Sequence, residues 1–197
     1  MVRDMRVTCL LVVLTCGSGA IASPTDVNAC LAAMCVDGSR VTEKSVVWKL
    51  GSGNRVHRPD DVGASRCYFD VEAGVWADFT FAGKEESSAK GDLRGIMLTE
   101  QIICKGRKGE PKVKLGRQLA GASIGMTESE VLASRGQPTR IDDAKEREAR
   151  KPAMADTRYS AKFGDLVYVY DKPDDLGFTF IYFRDGRVRT IWCSSSE

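Results

Sequence analysis

The chain has 197 residues with 29 basic and 27 acidic side chains, so its net charge of +2 at pH 7 is small. A charge this close to balance does not provide the strongly positive surface that nucleic-acid binding requires, and we expect no nucleic-acid partner. The length suffices for one domain of ordinary size or for two small units that share an interface.

The N-terminal residues have the pattern of a secretory signal peptide. Two arginines precede the apolar run 7–14, and Ala20-Ile-Ala22 supplies the small residues of a cleavage site. We expect cleavage after Ala22, which makes residues 1–22 the signal peptide and the mature protein periplasmic or secreted. No stretch reaches the roughly 20 apolar residues of a membrane span. The alternative is a lipoprotein, in which a lipid on Cys16 associates the chain with a membrane.

Residues 23–104 are predicted to form a first unit, in which two helices precede an antiparallel meander. Its elements are helices over 27–36 and 42–50 and strands over 66–71, 74–81 and 93–104. A basic linker, residues 105–114, follows. We expect this linker to be solvated, and contact with anionic lipid or an acidic partner is the alternative.

Residues 115–197 are predicted to repeat the same order of elements. The second unit has helices over 115–122 and 127–135, an exposed charged insertion over 142–158, and strands over 157–163, 166–170, 177–183 and 187–193. Asp185-Gly186 between the last two strands is a strong hairpin signal. The predicted fold class is therefore α+β, with two tandem helix-helix-meander units.

A local self-match supports this duplication. Residues 42–55 align with residues 127–140 at an offset of 85, and five of the fourteen positions are identical. Thr127 is predicted to be a helix N-cap with Glu130 completing a capping box. Because a serine replaces that glutamate after Thr42, the cap of the second unit is predicted to be the stronger one.

The repeated segment also resembles a known family. Residues 124–138, Ile-Gly-Met-Thr-Glu-Ser-Glu-Val-Leu-Ala-Ser-Arg-Gly-Gln-Pro, resemble the Gly-Met-Thr-x-x-x-Val-x-x-x-x-Gly-x-Pro signature of the BamE (SmpA/OmlA) family of outer-membrane assembly proteins. Residues 183–191 resemble the final hairpin of that family. The first half matches only through the repeat. A doubled unit is similar in arrangement to the secreted β-lactamase inhibitor protein, which implies a sheet surface that grips another protein and transfers no catalytic residue.

Five cysteines remain after cleavage, and export makes disulfides their expected state. Cys67 and Cys104 are predicted on strands of one unit with both sulfurs toward the core, so we expect them to pair. Cys30 and Cys35 can bond only if the helix predicted there ends or unwinds between them. An odd count leaves at least one thiol over or paired between molecules.

The sequence shows no pattern of residues that indicates catalysis. The only histidine, His57, lies in a predicted loop among charged residues, where a solvated surface role is favoured over that of a general base. There is no Cys-x-x-Cys pair for zinc, so we predict no metal and no cofactor. We therefore expect a protein that is not an enzyme, and an enzyme that depends on His57 is the third hypothesis.

Aromatic residues on the strands suggest a binding surface. A sheet with helices on one side exposes its other face, and we assign Trp76, Tyr168, Tyr170 and Trp192 to a partner-binding patch on that face. The alternative is that the two units bury these rings against each other. The predicted function is an exported, non-enzymatic module, inhibitor-like or immunity-like, that binds an envelope or secreted protein. A structural role in envelope assembly is the alternative.

Overall fold

The computed structural model describes residues 30–32, 34–36, 41–57, 64–82, 92–104, 113–143, 162–171 and 177–195. The predicted signal peptide, most of the linker and most of the charged insertion lie outside these ranges. Twelve strands and two helices are formed by them: β1 (Cys30–Leu31), β2 (Met34–Cys35), α1 (Glu43–Leu50), β3 (Asn54–His57), β4 (Ala64–Asp70), β5 (Val75–Phe81), β6 (Leu93–Thr99), β7 (Gln118–Leu119), β8 (Ala122–Ser123), α2 (Glu128–Arg135), β9 (Arg140–Asp143), β10 (Leu166–Asp171), β11 (Phe178–Arg184) and β12 (Arg187–Ser194).

Eight strands form one continuous antiparallel sheet in the order β3-β4-β5-β6-β12-β11-β10-β9. The first four strands of this order belong to the first half of the chain and the last four to the second half. The halves meet where β6 pairs with β12, with Met97 opposite Trp192 and Leu98 opposite Ile191. The last strand of each half therefore lies at the centre of the sheet, and the first strands, β3 and β9, lie at its edges.

The fold-class prediction and the BamE assignment are wrong. The tandem α+β module requires two helices in each unit, whereas the described residues of each half contain one helix, eight residues long. Most of the described chain is instead strand, and one sheet runs through both halves. The protein is mainly β.

The missing helices are replaced by two short hairpins. In the segment 115–122, Gly116 and Gly121 have φ values of 74° and 72°, which an α-helix does not allow. Strand β7 lies between these glycines, and β8 follows Gly121 and pairs with β7. In the segment 27–36, Cys30 lies opposite Cys35 in the β1–β2 hairpin, and the two are joined by a disulfide. Strand pairing thus brings together two cysteines that a helix would hold apart.

Both helices begin with a complete capping box. In α1, the Ser45 amide donates to Thr42 Oγ1 at 3.3 Å and the Thr42 amide donates to Ser45 Oγ at 3.0 Å. In α2, Glu130 closes the corresponding box on Thr127, with a 2.7 Å bond from the Thr127 amide. The second cap was predicted to be stronger because only it was expected to have a complete box, and that reason is wrong. The Ser45 hydroxyl accepts a hydrogen bond from the N-cap amide of α1, as the Glu130 carboxylate does from the N-cap amide of α2.

A single hydrophobic core fills the space between the sheet and both helices. Val46 of α1 and Val131 of α2 are fully buried in the same cluster as Ile96 of β6 and Ile191 of β12. Because this cluster contains residues from both halves, neither half buries its apolar surface alone. We call the sheet surface that packs on this core the helix face, and the opposite surface the far face.

Asp70, at the end of β4, ties the second half of the chain to the first. Its Oδ2 accepts the amides of Leu115 at 2.7 Å and Gly116 at 3.2 Å, and its Oδ1 accepts those of Glu72 and Ala73. Burial raises the pKa of this carboxyl, but the four amide donors outweigh burial and hold the pKa below its usual value. The ionised carboxylate therefore stabilises the native state.

Glu100 forms a second link between the halves. Its carboxylate pairs with Arg117 and, at 2.7 Å, with Arg189, while Arg117 also donates to the carbonyl oxygen of Ala73. Burial raises the pKa of Glu100, and the two guanidinium groups lower it by more, so the net shift is downward. Together with Asp70, this carboxylate fixes the segment that enters the second half.

Arg135 is a buried cation at the end of α2. Only 8% of its surface is exposed; its guanidinium lies 4.2 Å from the centre of the Tyr170 ring and donates to the Ala120 carbonyl. Its Nε has no hydrogen-bond partner among the described residues. Burial lowers the pKa of Arg135, and the nearby Cys193 and Tyr170 oppose that shift. The ring face and one carbonyl thus take the place of a carboxylate partner.

Candidate binding surface

The centre of the far face carries a row of large side chains across four neighbouring strands. Asp78 of β5 lies beside Met97 of β6, Met97 beside Trp192 of β12, and Trp192 beside Phe180 of β11. Phe178 lies two residues before Phe180 on the same face. Met97, Trp192 and Phe178 are partly exposed, whereas Asp78 and Phe180 are buried. The partly exposed members define a candidate contact surface of aromatic and thioether groups.

The indole of Trp192 is positioned by its neighbours. A Cβ atom built on Gly95 would lie 3.2 Å from the indole Nε1, so the ring rests directly over a backbone position that has no side chain. The ring also packs against Phe180, with centroids 6.0 Å apart. Glycine at this position gives the indole room for the close approach, and no local sequence pattern predicts that pairing.

Part of the far face is covered by two segments. The first, residues 100–104, follows β6 and places Ile103 against the far-face side chains, with Cys104 bonded to Cys67. The second leads into β10 and places Phe163 in edge-to-face contact with Tyr182, with centroids 5.7 Å apart. The side chain of Gln101 links the two segments through the carbonyl of Lys162. The far face thus contains two further buried clusters, one around Phe163 and Tyr182 and one around Cys67, Trp76 and Cys104.

Trp76 and Trp192 both lie on the far face. For Trp76 this is the face that strand alternation predicted. Trp76 is only 9% exposed, because Ile103 and Cys104 pack over it and Phe69 lies against it at 4.8 Å between ring centroids. Trp192 retains partial exposure. Of the two tryptophans, Trp192 has the geometry to meet a partner directly, and Trp76 supports the surface from beneath.

The predicted face of Tyr168 and Tyr170 is wrong. They belong to the core between sheet and helices, while Val167 and Val169 point to the far face. Both faces of β10 are apolar and buried, so residue alternation identifies two sets of side chains without showing which set faces the helices. The segment that carries Phe163 covers the valines.

The two tyrosine hydroxyls hold α2 in place. Tyr168 donates to Glu128 Oε2 at 2.8 Å, and Tyr170 donates to the carbonyl of Gly136 at 3.2 Å. Burial, and next the hydrogen bond to Glu128, raise the pKa of Tyr168 to about 12. Burial also raises the pKa of Tyr170, against the opposing charge of Arg135. Both phenols are therefore neutral donors at physiological pH.

The disulfide expected between Cys67 and Cys104 is present, and a second joins Cys30 to Cys35. Both cysteines are buried in a hydrophobic cluster, as expected, and that cluster lies with Trp76 on the far face and not under the helices. The buried thiol of Cys193 is in neither disulfide and lies 3.7 Å from the hydroxyl of Thr179.

Chemistry-bearing residues are scattered in the part of the chain that the structure describes. No group of three or more His, Cys, Asp or Glu side chains within it has the arrangement of a metal site. The backbone of His57 lies in the edge strand β3, not in a loop as predicted. No helix in the described ranges is long and apolar enough to cross a membrane.

Sequence reasoning missed several residues of the candidate surface. Met97 and Phe178 were not among the predicted partner-binding residues, although each lies at a far-face position of a predicted strand. The alternation Phe178, Phe180, Tyr182 along β11 was a usable signal, because all three rings belong to one face. Gly95 had no such signal, since its role depends on pairing between β6 and β12.

No family model matches the chain, and no curated protein matches it. Two solved structures show similarity to it. One is a DUF4309 family protein (YjgB) from Bacillus subtilis subsp. subtilis str. 168, with 14% sequence identity, 80% coverage of both chains and a TM-score of 0.45. The other is an extracellular protein containing a SCP domain from Bacillus anthracis str. Ames, with 10% identity and a TM-score of 0.43, covering 78% of this chain and 42% of that chain. The function is therefore inferred from the surface itself.

Proposed function

We propose that this chain is an exported, non-enzymatic binding protein, inhibitor-like or immunity-like, that recognises an envelope or secreted protein through the far face of its sheet. The observation that carries the proposal is the partly exposed group of Met97, Phe178 and Trp192 at the centre of that face. Tryptophan and methionine are enriched at the cores of protein interfaces, and tryptophan is a frequent hot spot.

The support around Trp192 favours recognition by a preformed surface. Its ring rests over Gly95 and against Phe180, so little side-chain freedom remains to be lost on binding. The two segments that cross the far face, joined through Gln101 and fixed by the Cys67–Cys104 disulfide, add further rigid support. A partner would meet a rigid central ring.

The disulfides support the exported location in this proposal. Both are formed between residues of the first half, and disulfides persist in oxidising compartments outside the cytosol. The signal-peptide pattern over residues 1–22 gives the same location from the sequence. Periplasmic and secreted destinations both satisfy these observations.

The test is to capture partners from envelope and secreted fractions with the exported form, and then to measure how affinity depends on the far face. We expect Trp192→Ala to weaken binding at least 30-fold, which corresponds to the roughly 2 kcal/mol that defines a hot spot. Gly95→Ala should also weaken binding by displacing the indole without removing it.

The matched control is Ile141→Ala, which removes a side chain that is 55% exposed on the helix face of edge strand β9. It should leave the affinity unchanged. If Ile141→Ala weakens binding while Trp192→Ala and Gly95→Ala do not, recognition belongs to another surface.

A further inference from the structure

The outer side of α1 carries an unusual group of exposed residues. Trp48 is 88% exposed, and Lys44 and Lys49 are exposed one turn before it and directly after it. Among the described residues, no other large hydrophobic side chain is as exposed. We call Lys44, Trp48 and Lys49 the α1 patch.

The second half of the chain provides an internal comparison for the α1 patch. With the 85-residue offset that relates the two caps, Lys44, Trp48 and Lys49 correspond to Ser129, Ala133 and Ser134 of α2. These three residues are also exposed, and α2 has the same length and the same type of cap. The fold therefore does not require a tryptophan or lysines at these positions.

The charge around the α1 patch is positive. The acidic residue of the first helical turn, Glu43, is engaged by Arg66 at 2.7 Å and by Arg55 at 3.3 Å. Its carboxylate is thus neutralised by its own neighbours, and Lys44 and Lys49 remain as exposed cations beside the indole. A surface of this composition attracts anionic groups.

We propose that the α1 patch binds the surface of a membrane that contains anionic lipid, with the Trp48 indole at the headgroup level and the two lysines on lipid phosphates. Tryptophan prefers the membrane–water interface because its ring is apolar and its N–H is polar. Lysines strengthen attachment to anionic headgroups. An eight-residue helix is about 12 Å long, too small to supply the roughly 800 Å² that each partner contributes to a stable protein interface.

The experiment mixes the exported form of the chain with vesicles of phosphatidylcholine containing about one third phosphatidylglycerol, at low salt. We expect cosedimentation with these vesicles, little with pure phosphatidylcholine, and loss of binding at high salt because screening shortens the range of attraction. Trp48→Ala should weaken vesicle binding about tenfold and abolish the blue shift of tryptophan emission. Lys44→Ser with Lys49→Ser, the residues of α2, should weaken it by a similar factor.

Two controls separate this proposal from the proposed protein partner. Ile102→Ala removes another exposed apolar side chain, 79% exposed, outside the α1 patch and should leave vesicle binding unchanged. Trp192→Ala should also leave it unchanged while weakening partner capture. The proposal is overturned if Trp48→Ala binds anionic vesicles as well as the parent does, if neutral vesicles bind equally well, or if the patch binds an acidic protein and no vesicle.

Discussion

The two halves of the chain have the same order of structural elements and different side chains at equivalent positions. Each begins with a two-residue hairpin whose turn holds an alanine, Ala32 or Ala120, at a φ of 49°. A capped helix follows in each, and the carbonyl of its C-cap glycine accepts a tyrosine hydroxyl, Tyr68 in the first half and Tyr170 in the second. Four antiparallel strands complete each half.

The two halves differ at equivalent positions where the backbone conformation does not require a particular side chain. The last helical residue is the apolar Leu50 in the first half and the buried cation Arg135 in the second. Both disulfides of the described residues belong to the first half. Shared residues therefore mark the needs of the fold, while residues that differ between equivalent positions mark what each half does separately.

The largest expected effect concerns the disulfide that fixes the first half. Cys67 and Cys104 are 37 residues apart, and losing this crosslink through Cys67→Ala with Cys104→Ala should lower the free energy of unfolding by about 4 kcal/mol in the chain-entropy account. Urea denaturation measures the loss. Cys193→Ala, which breaks no disulfide, is the control for altered cysteine content, and an equal loss in both variants would contradict the prediction.

Asp70→Asn should cost about 3 kcal/mol, because an amide cannot accept all four backbone N–H groups that the carboxylate now accepts. This variant tests whether the halves depend on each other, since it loosens residues 115–116 from β4. Asp185→Asn, at the exposed β11–β12 turn with a φ of 55°, is the matched control and should be neutral. Equal stability of the two variants would show that the link is dispensable.

Acid should weaken the same link between the halves. The pKa values of Asp70 and Glu100 are lower in the folded chain than in the unfolded chain, so the stability they contribute is fully present above the unfolded values of about 3.9 and 4.3. It is lost as pH falls through those values toward the folded ones. Unfolding free energy measured from pH 7 to pH 3 should therefore fall below about pH 4.5, with a shallower fall in Asp70→Asn.

Arg135→Leu places the residue of the first half in the second. We expect an increase in unfolding free energy of about 1 kcal/mol, because leucine removes the desolvation cost of a buried guanidinium that has no carboxylate partner among the described residues. Thermal and urea unfolding of the variant measure the change. A loss of stability would show instead that the Tyr170 ring and the Ala120 carbonyl outweigh the cost of burial, and that Arg135 has a structural task absent from the first half.

The smallest effect should be the same in both halves. Thr42→Ala and Thr127→Ala should each lower stability by about 1 kcal/mol, since both remove one side of a complete capping box. Urea denaturation of the two variants under one condition gives the comparison. A loss at Thr127 much larger than that at Thr42 would mean that Glu130 caps its helix better than Ser45 does.

Sequence patterns predicted the elements whose signals are local. Both capped helices were predicted because Thr and Gly mark their ends, and the Asp185-Gly186 hairpin was predicted from its turn residues. The edge strands β3 and β9 were missed, since they are four residues long and follow helix stops without alternation. Their pairing with β4 and β10 is a property of the sheet.

The candidate surface was only partly predictable. The face of Trp76 follows from alternation along β5, whereas the face of Tyr168 could not be assigned from a strand that is apolar on both sides. The contact of Trp192 with Gly95 joins residues 97 positions apart and depends on β6 meeting β12. Patterns within one segment do not contain that information.

The pairing of β6 with β12 determines which strand edge each half would expose if the two were separated. Each uses its last strand to protect the other, so a half released by proteolysis would present a bare seven- or eight-residue strand edge to solvent. Such an edge is open to pairing with a strand of another molecule. Two separate halves would meet through these strands only at sufficient concentration, and the tandem chain makes the pairing of β6 with β12 independent of concentration.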